Sequence, residues 1–150
     1  MKIAIGCDPN AQEAKEKLID FIKQKELGTV TDFGSSDVIY AHVAVKVAEN
    51  VACKKYDRGI LLCGTGIGMC IAANKVKGAY AALVSDIYSA KRAILSNDAN
   101  VLCMGAFTTG NKVREEITEV FLKLEYSEDT GSKCKVEAYK KYDSERLGPV

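Results

Sequence analysis

Histidine is almost missing from this chain: His42 is the only one in 150 residues. The six cysteines, at positions 7, 53, 63, 70, 103 and 134, form no paired C-x-x-C sets. Together these two facts argue against a zinc centre. An excess of either charge is missing too. Lys+Arg number 21 against 20 Asp+Glu, for a net charge of +1, so neither nucleic acid nor a membrane is indicated as a partner. A small anion, which needs only a local positive site, stays open. No apolar run approaches the ~20 residues of a membrane-spanning helix. The stretch Met1–Asp8 is too short, and turns polar too soon, for a signal peptide. It reads as a first strand, and no dinucleotide glycine fingerprint follows it. Repeats, low-complexity stretches and linkers are also absent. Several cysteines lie inside apolar runs, where the residue behaves as a small core side chain. The expectation is reduced thiols in a cytoplasmic protein.

What is present is an alternation of short apolar runs with helical-period stretches. A length of 150 residues with 47% hydrophobic content fits a single domain over 1–150 that buries about 70% of its unfolded surface. Strands are predicted over Lys2–Gly6, Thr29–Phe33, Gly59–Cys63, Ala79–Val84 and Asn100–Met104. Helical stripes run through Ala14, Leu18 and Ile22, then Ala41–Ala52, a short helix ending near Asn74, Ile87–Leu95, and Val113–Leu124. Five such βα units imply an α/β, Rossmann-like three-layer sandwich: a five-stranded parallel sheet, helices on both faces and a C-terminal helical tail. The polar, Lys-rich tail, about 126–150, is expected to hold a helix over Lys133–Lys141 that packs on a partner subunit.

In such folds ligands sit beyond the carboxyl ends of the strands. The third strand runs into Cys63-Gly64-Thr65-Gly66-Ile67-Gly68. Three glycines in five residues let the backbone approach a ligand and point N–H groups at an anion. A thiol beside a helix N-terminus has its thiolate stabilised, so Cys63 can act as base or nucleophile. The same turn also reads as a plain strand-to-helix turn after a buried cysteine. His42 has a bland reading as a surface residue and a sharper one as a proton carrier beside Tyr40. Asp86 reads as a helix cap, Asp98 as a cap of the loop before strand five, and Cys7 and Cys103 as core. Lys91, Arg92, Lys112 and Arg114 read as solvated helix charges, one of which could reach a phosphate. A reversible Cys63–Cys70 disulfide is a further option.

The order and spacing of Gly6-Cys7-Asp8, of Cys63 to Gly68 followed by Ala72-Ala73-Asn74-Lys75, and of Asn97 to Leu102 with Gly105 and Gly110 carry a resemblance. From Met1 to about Tyr126 the chain resembles the ribose-5-phosphate isomerase B / galactose-6-phosphate isomerase family. The resemblance implies an aldose–ketose isomerase that moves a proton between C2 and C1 of a sugar phosphate through a cis-enediolate, with no metal and no cofactor. Ribose 5-phosphate is the default substrate. It implies Cys63 as base, with Thr65 and the Gly64, Gly66, Ile67 and Gly68 backbone holding the enediolate oxygens. Asp8 and Asn97 would be hydroxyl ligands, and Tyr40 would stand beside the sugar. It also implies a homodimer or homotetramer with sites shared between subunits. Pro9 stands where the family has one His, Ser96 where it has the ring-opening His, and Phe107 where it has a phosphate-binding Arg. The paired tail arginines fall in a region holding Lys133 and Lys135, which can act as point charges without the bidentate fork.

Those departures leave alternatives: a galactose-6-phosphate isomerase subunit paired with a paralogue in a hetero-oligomer, or a non-catalytic sugar-phosphate-binding homologue. A flavodoxin-like redox protein using Cys63 and Cys70 is a third.

Overall fold

The computed structural model describes residues 1–34 and 36–146. Strands β1 (Lys2–Cys7), β2 (Thr29–Asp32), β3 (Arg58–Cys63), β4 (Ala81–Leu83) and β5 (Val101–Gly105) form one parallel sheet in the order β2-β1-β3-β5-β4. Between and after them come α1 (Gln12–Gln24), α2 (Tyr40–Ala52), α3 (Ile67–Ala73), α4 (Ile87–Leu95), α5 (Asn111–Lys123) and α6 (Lys133–Glu145). Parallel neighbours need crossover connections, which is why strand and helix alternate.

Side chains alternate across a strand, and the central strands are apolar on both sides. Ile3, Ile5, Ile60, Leu62, Leu102 and Met104 pack against α1, α4 and α5. Ala4, Leu61, Val101 and Cys103 pack against α2 and α3 on the opposite face. Gly6 is required for that second layer: a Cβ there would sit 2.5 Å from Val43 Cγ1 of α2.

Two segments differ from expectation. The fourth strand pairs only over Ala81–Leu83, because its first residues are taken by other partners. The Ala79 N–H donates to Val76 O at 3.1 Å, and the Tyr80 N–H to Asn100 Oδ1 at 2.7 Å. The tail helix is longer than expected and is tied to its own chain. Asp143 accepts the Gly78 N–H at 2.7 Å, Lys140 pairs with Asp98, Tyr139 donates to Asn97 O, and Val136 is buried. The last four residues of the expected tail, 147–150, lie outside the described residues.

The chain leaves β1 toward one face and β3 toward the other. Their carboxyl ends therefore diverge, and the crevice between them is where a ligand fits an open α/β sheet.

Candidate active site

The turn after β3 is shaped by close contacts. Gly66 has φ 80° and ψ −14° and caps α3. A Cβ at Gly66 would lie 2.8 Å from the Met104 carbonyl carbon. This placement aims the Gly66 N–H at Cys63 Sγ, 3.1 Å away. That amide fixes the position of the sulfur within the turn. Cys63 is 5% exposed, so the sulfur meets solvent over a small part of its surface. Next to Gly66, the Ile67 N–H reaches Thr65 Oγ1 at 3.4 Å. The β5 loop closes on the same turn, with the Ala106 N–H on Cys63 O at 2.8 Å and the Phe107 N–H on Gly64 O at 2.9 Å.

Asp8 faces this turn from β1; its N–H donates to Leu62 O at 3.2 Å. One carboxylate oxygen, Oδ2, accepts from Asn10 at 3.3 Å. The other, Oδ1, is buried with no partner among the described residues, and Asp8 is only 7% exposed. A buried polar atom without a hydrogen bond is costly, and a ligand hydroxyl would satisfy this one. Pro9 opens the 3-10 turn Pro9–Ala11 and brings no donor. Tyr40 lies across Gly68, where a Cβ would stand 2.5 Å from the ring Cζ.

Cys63, Thr65, Asp8, Pro9, Tyr40 and the Gly64–Gly68 backbone therefore converge on the carboxyl edge. Asn97, Lys133 and Lys135 do not join them within one chain. Asn97 follows α4 at the opposite edge, with Nδ2 on Arg92 O at 2.9 Å. Lys133 opens α6 at that same edge, 2.9 Å from Glu128 and 3.9 Å from Glu137, and Lys135 is exposed beside it. The length of β3 alone separates the two edges by roughly 17 Å at ~3.3 Å per residue. A groove of about 590 Å³ lined by Leu83, Tyr88, Arg92, Asn97 and Tyr139 runs outside β4 rather than over Cys63.

Other expectations resolve in turn. Asp86 caps α4, accepting the Ser89 N–H at 2.7 Å. His42 is a surface residue, 2.9 Å from Asp37 with its side chain 64% exposed. The Cys70 sulfur turns to Ala81 O (3.5 Å) rather than to Cys63. A hydrogen bond from the Cys103 thiol lowers the Cys70 pKa to about 7, helped by the Leu83 N–H and Asn74. Burial pushes Cys7 up to about 11.

Two cations matter more than their sequence positions suggest. Arg114, expected to be solvated, is buried. It donates to the carbonyls of Gly105, Ala106 and Thr109 and to Asn111 Oδ1, bracing the β5 loop. Lys15 is 2% exposed and bonds both oxygens of Asp32 at 2.7 Å. Its place between Ala14 and Leu18 on the apolar stripe of α1 was the available signal. Among the described residues no three His, Cys, Asp or Glu are grouped to hold a metal.

The arrangement suits proton transfer at carbon: a thiol with an amide donor, a waiting carboxylate oxygen and a close-approach backbone. The comparisons with known proteins bear on the family. The Ribose/Galactose Isomerase family model matches residues 3–138. A ribose-5-P isomerase B of Listeria innocua is 48% identical over 130 residues, 85% of this chain and 87% of its own. A D-erythrulose-4-phosphate isomerase of Pectobacterium atrosepticum is 45% identical over 147 residues, 95% of each chain. The type B ribose 5-phosphate isomerase of Trypanosoma cruzi superposes with a TM-score of 0.90 at 38% identity, covering 97% of this chain and 100% of that one. With its parallel sheet, its Cys63 turn and these matches together, the chain belongs to the ribose/galactose isomerase family.

Proposed function

We propose that this chain interconverts an aldose phosphate and its ketose by moving one proton between C1 and C2 through a cis-enediolate, with Cys63 as the base. The observation that carries the reading is the Gly66 N–H on Cys63 Sγ at 3.1 Å, at the end of a strand whose neighbour β1 leads into Asp8, with its buried Oδ1 unpaired among the described residues. The thiolate takes the carbon-bound proton, the electron pair forms the enediolate, and the proton returns to the neighbouring carbon. In this reading Thr65 and the amides that open α3 take the oxygen charge, and Asp8 binds a hydroxyl.

The relatives' names supply two substrates, ribose 5-phosphate and D-erythrulose 4-phosphate. Ribose 5-phosphate is the family default. Phosphate contacts come from a second copy of the chain in this reading. Asn97, Lys133 and Lys135 lie too far from their own Cys63, roughly 17 Å by the length of β3. The exposed apolar side chains Ile67, Ile71, Leu83 and Phe107 flank the Cys63 turn as a homodimer contact would require.

Cys63→Ala should lower turnover of the sugar phosphate by about 10²–10⁴-fold and leave the fold intact by circular dichroism, with a lower Tm because the buried Gly66 N–H loses its partner. Wild-type turnover by this variant would refute the mechanism. The non-catalytic alternative is favoured by Pro9 and Phe107, which offer a ligand no side-chain hydrogen bond. It requires that the pure wild-type chain bind a sugar phosphate without converting it, or convert it only when mixed with a paralogue.

A further inference from the structure

Opening a furanose needs one group to protonate the ring oxygen and another to deprotonate the anomeric hydroxyl. General acid–base help of this kind is worth typically ~10²–10⁴-fold. Imidazole is the side chain suited to it near neutral pH, and the chain's single example is placed elsewhere. His42 stands two residues after Tyr40 on α2, about 200° around the helix. With Tyr40 laid on Gly68, His42 points away from α3. It shares its face with Lys46, whose Nζ sits 5.7 Å over the Phe33 ring beyond β2, and its Nδ1 is held 2.9 Å from Asp37 Oδ2. A second copy of the chain brings only another His42.

Where the loops after β1 and β5 cross the carboxyl edge stand Pro9 and Phe107, a residue without a donor and a hydrocarbon ring. Phe107 is held in place. Its N–H bonds Gly64 O at 2.9 Å, and Arg114 braces the carbonyls on both sides of it. The ring edge lies 2.9 Å from where a Gly64 Cβ would stand, yet the residue is 73% exposed. Phe107 thus walls the Gly64 end of the turn, as Tyr40 walls the Gly68 end. Among the described residues of one chain, what stands between them is a thiol, the Asp8 carboxylate with the Asn10 amide on it, and hydroxyls on Thr65 and Tyr40: no imidazole. This set can shift a proton between two carbons and bind few sugar hydroxyls.

Granted the isomerase reading above, we infer that the substrate is a sugar phosphate with no ring to open: a four-carbon ketose or aldose 4-phosphate. In such a sugar O4 carries the phosphoryl group, so no hydroxyl remains that can close a five- or six-membered ring on the carbonyl. Every molecule arrives open. In the ketose direction Cys63 takes a proton from C1, and the C1–C2 enediolate forms as the C2 carbonyl oxygen gains charge. The proton is then delivered to C2, the C1 hydroxyl proton passes to the C2 oxygen, and the C1 oxygen becomes the carbonyl. The step is internally balanced and needs no outside oxidant or reductant.

The test is steady-state kinetics of the purified wild-type chain on D-erythrulose 4-phosphate and ribose 5-phosphate side by side. The expected result is a kcat/KM about 100-fold or more in favour of the four-carbon sugar, the lower end of what a missing general acid costs. In addition, the rate on ribose 5-phosphate should stop rising with enzyme concentration once spontaneous ring opening limits supply. Equal or better kcat/KM on ribose 5-phosphate, with a rate linear in enzyme, overturns the inference while leaving the isomerase reading intact. No turnover of either sugar overturns the isomerase reading itself. Phe107→Ala should shift the ratio about tenfold toward the five-carbon sugar, the scale of a pocket enlarged by a few carbons; equal changes on both substrates would remove the wall.

Discussion

Gly66 and Gly68 are two residues apart, and substituting each with alanine should have very different consequences. At Gly66 an alanine must hold φ near 80°, a left-handed conformation that costs an L-residue roughly 1–2 kcal/mol. Its Cβ would also meet Met104 C at 2.8 Å and O at 3.0 Å, well inside the ~3.5–4.0 Å of ordinary carbon contacts. Both are backbone atoms of β5, which is paired on both sides and cannot swing aside, so an overpacking cost of about 1–3 kcal/mol is added. The total of roughly 2–5 kcal/mol corresponds to a fall in Tm of about 5–20 °C for a chain of this size. At Gly68 the obstacle is the Tyr40 ring, 2.5 Å from the new Cβ, and Tyr40 is partly exposed and free to rotate outward. The residue is inside α3, where alanine is favoured over glycine by up to ~1 kcal/mol. Gly68→Ala should therefore melt within a few degrees of wild type. Circular dichroism melts of both variants decide the matter. If Gly66→Ala melts with the wild type, or if both variants fall equally, the account of this turn is wrong.

Thiol chemistry offers a second check. Alkylation of Cys70 by iodoacetamide should rise with pH and reach half its limiting rate near pH 7, because its pKa is lowered to about 7 and the reactive thiolate is lost as pH falls through that value. Cys7, pushed up to about 11 by burial, should stay unmodified in the native protein at pH 7; peptide mass spectrometry showing Cys7 labelled ahead of Cys70 would contradict the packing. Arg114→Leu should destabilise by about 2–4 kcal/mol, since carbonyls in the β5 loop lose a charged donor. It should also raise KM through the displaced Phe107; an unchanged Tm and KM would show that the loop stands without it.

The order of elements was legible because the apolar runs are short and unmixed. Gly59 to Cys63 is apolar throughout, as a strand covered on both faces must be, and it is the central strand. The Cys63 turn was legible from glycine spacing alone. What escaped were features set by long-range contacts. The extent of β4 depends on Asn100 and Asn74 side chains supplying bonds that a strand would otherwise seek, which no local pattern of Ala79–Val84 reveals. Arg114 looks like any helix-surface cation until the β5 loop folds back over it. Asn97 lies in a stretch that resembles a ligand motif, but sequence order says nothing about which edge of the sheet it reaches. Only the return path of α4 puts it opposite Cys63.

The motif stretch from Cys63 to Asn74 combines chemistry at its start with scaffolding at its end. A helix of seven residues is far below the ~12–15 at which isolated helices become marginal, so α3 must be held by its surroundings. Met69 and Ala73 are buried beneath it, and Gly66 fixes its start against Met104. Its far end is fixed by Asn74, whose side chain accepts the Ala81 N–H at 2.9 Å and donates to Ala81 O at 2.9 Å. That amide occupies the edge of β4 as a neighbouring strand would, closing an edge otherwise open to pairing with another chain. Cys70, one turn earlier on the same face, adds its sulfur to Ala81 O at 3.5 Å. The N–H that holds the Cys63 sulfur thus sits at one end of a short rod whose other end is bonded into the sheet. The Ala-Ala-Asn segment of the motif therefore helps fix the position of Gly66 beside the Cys63 sulfur.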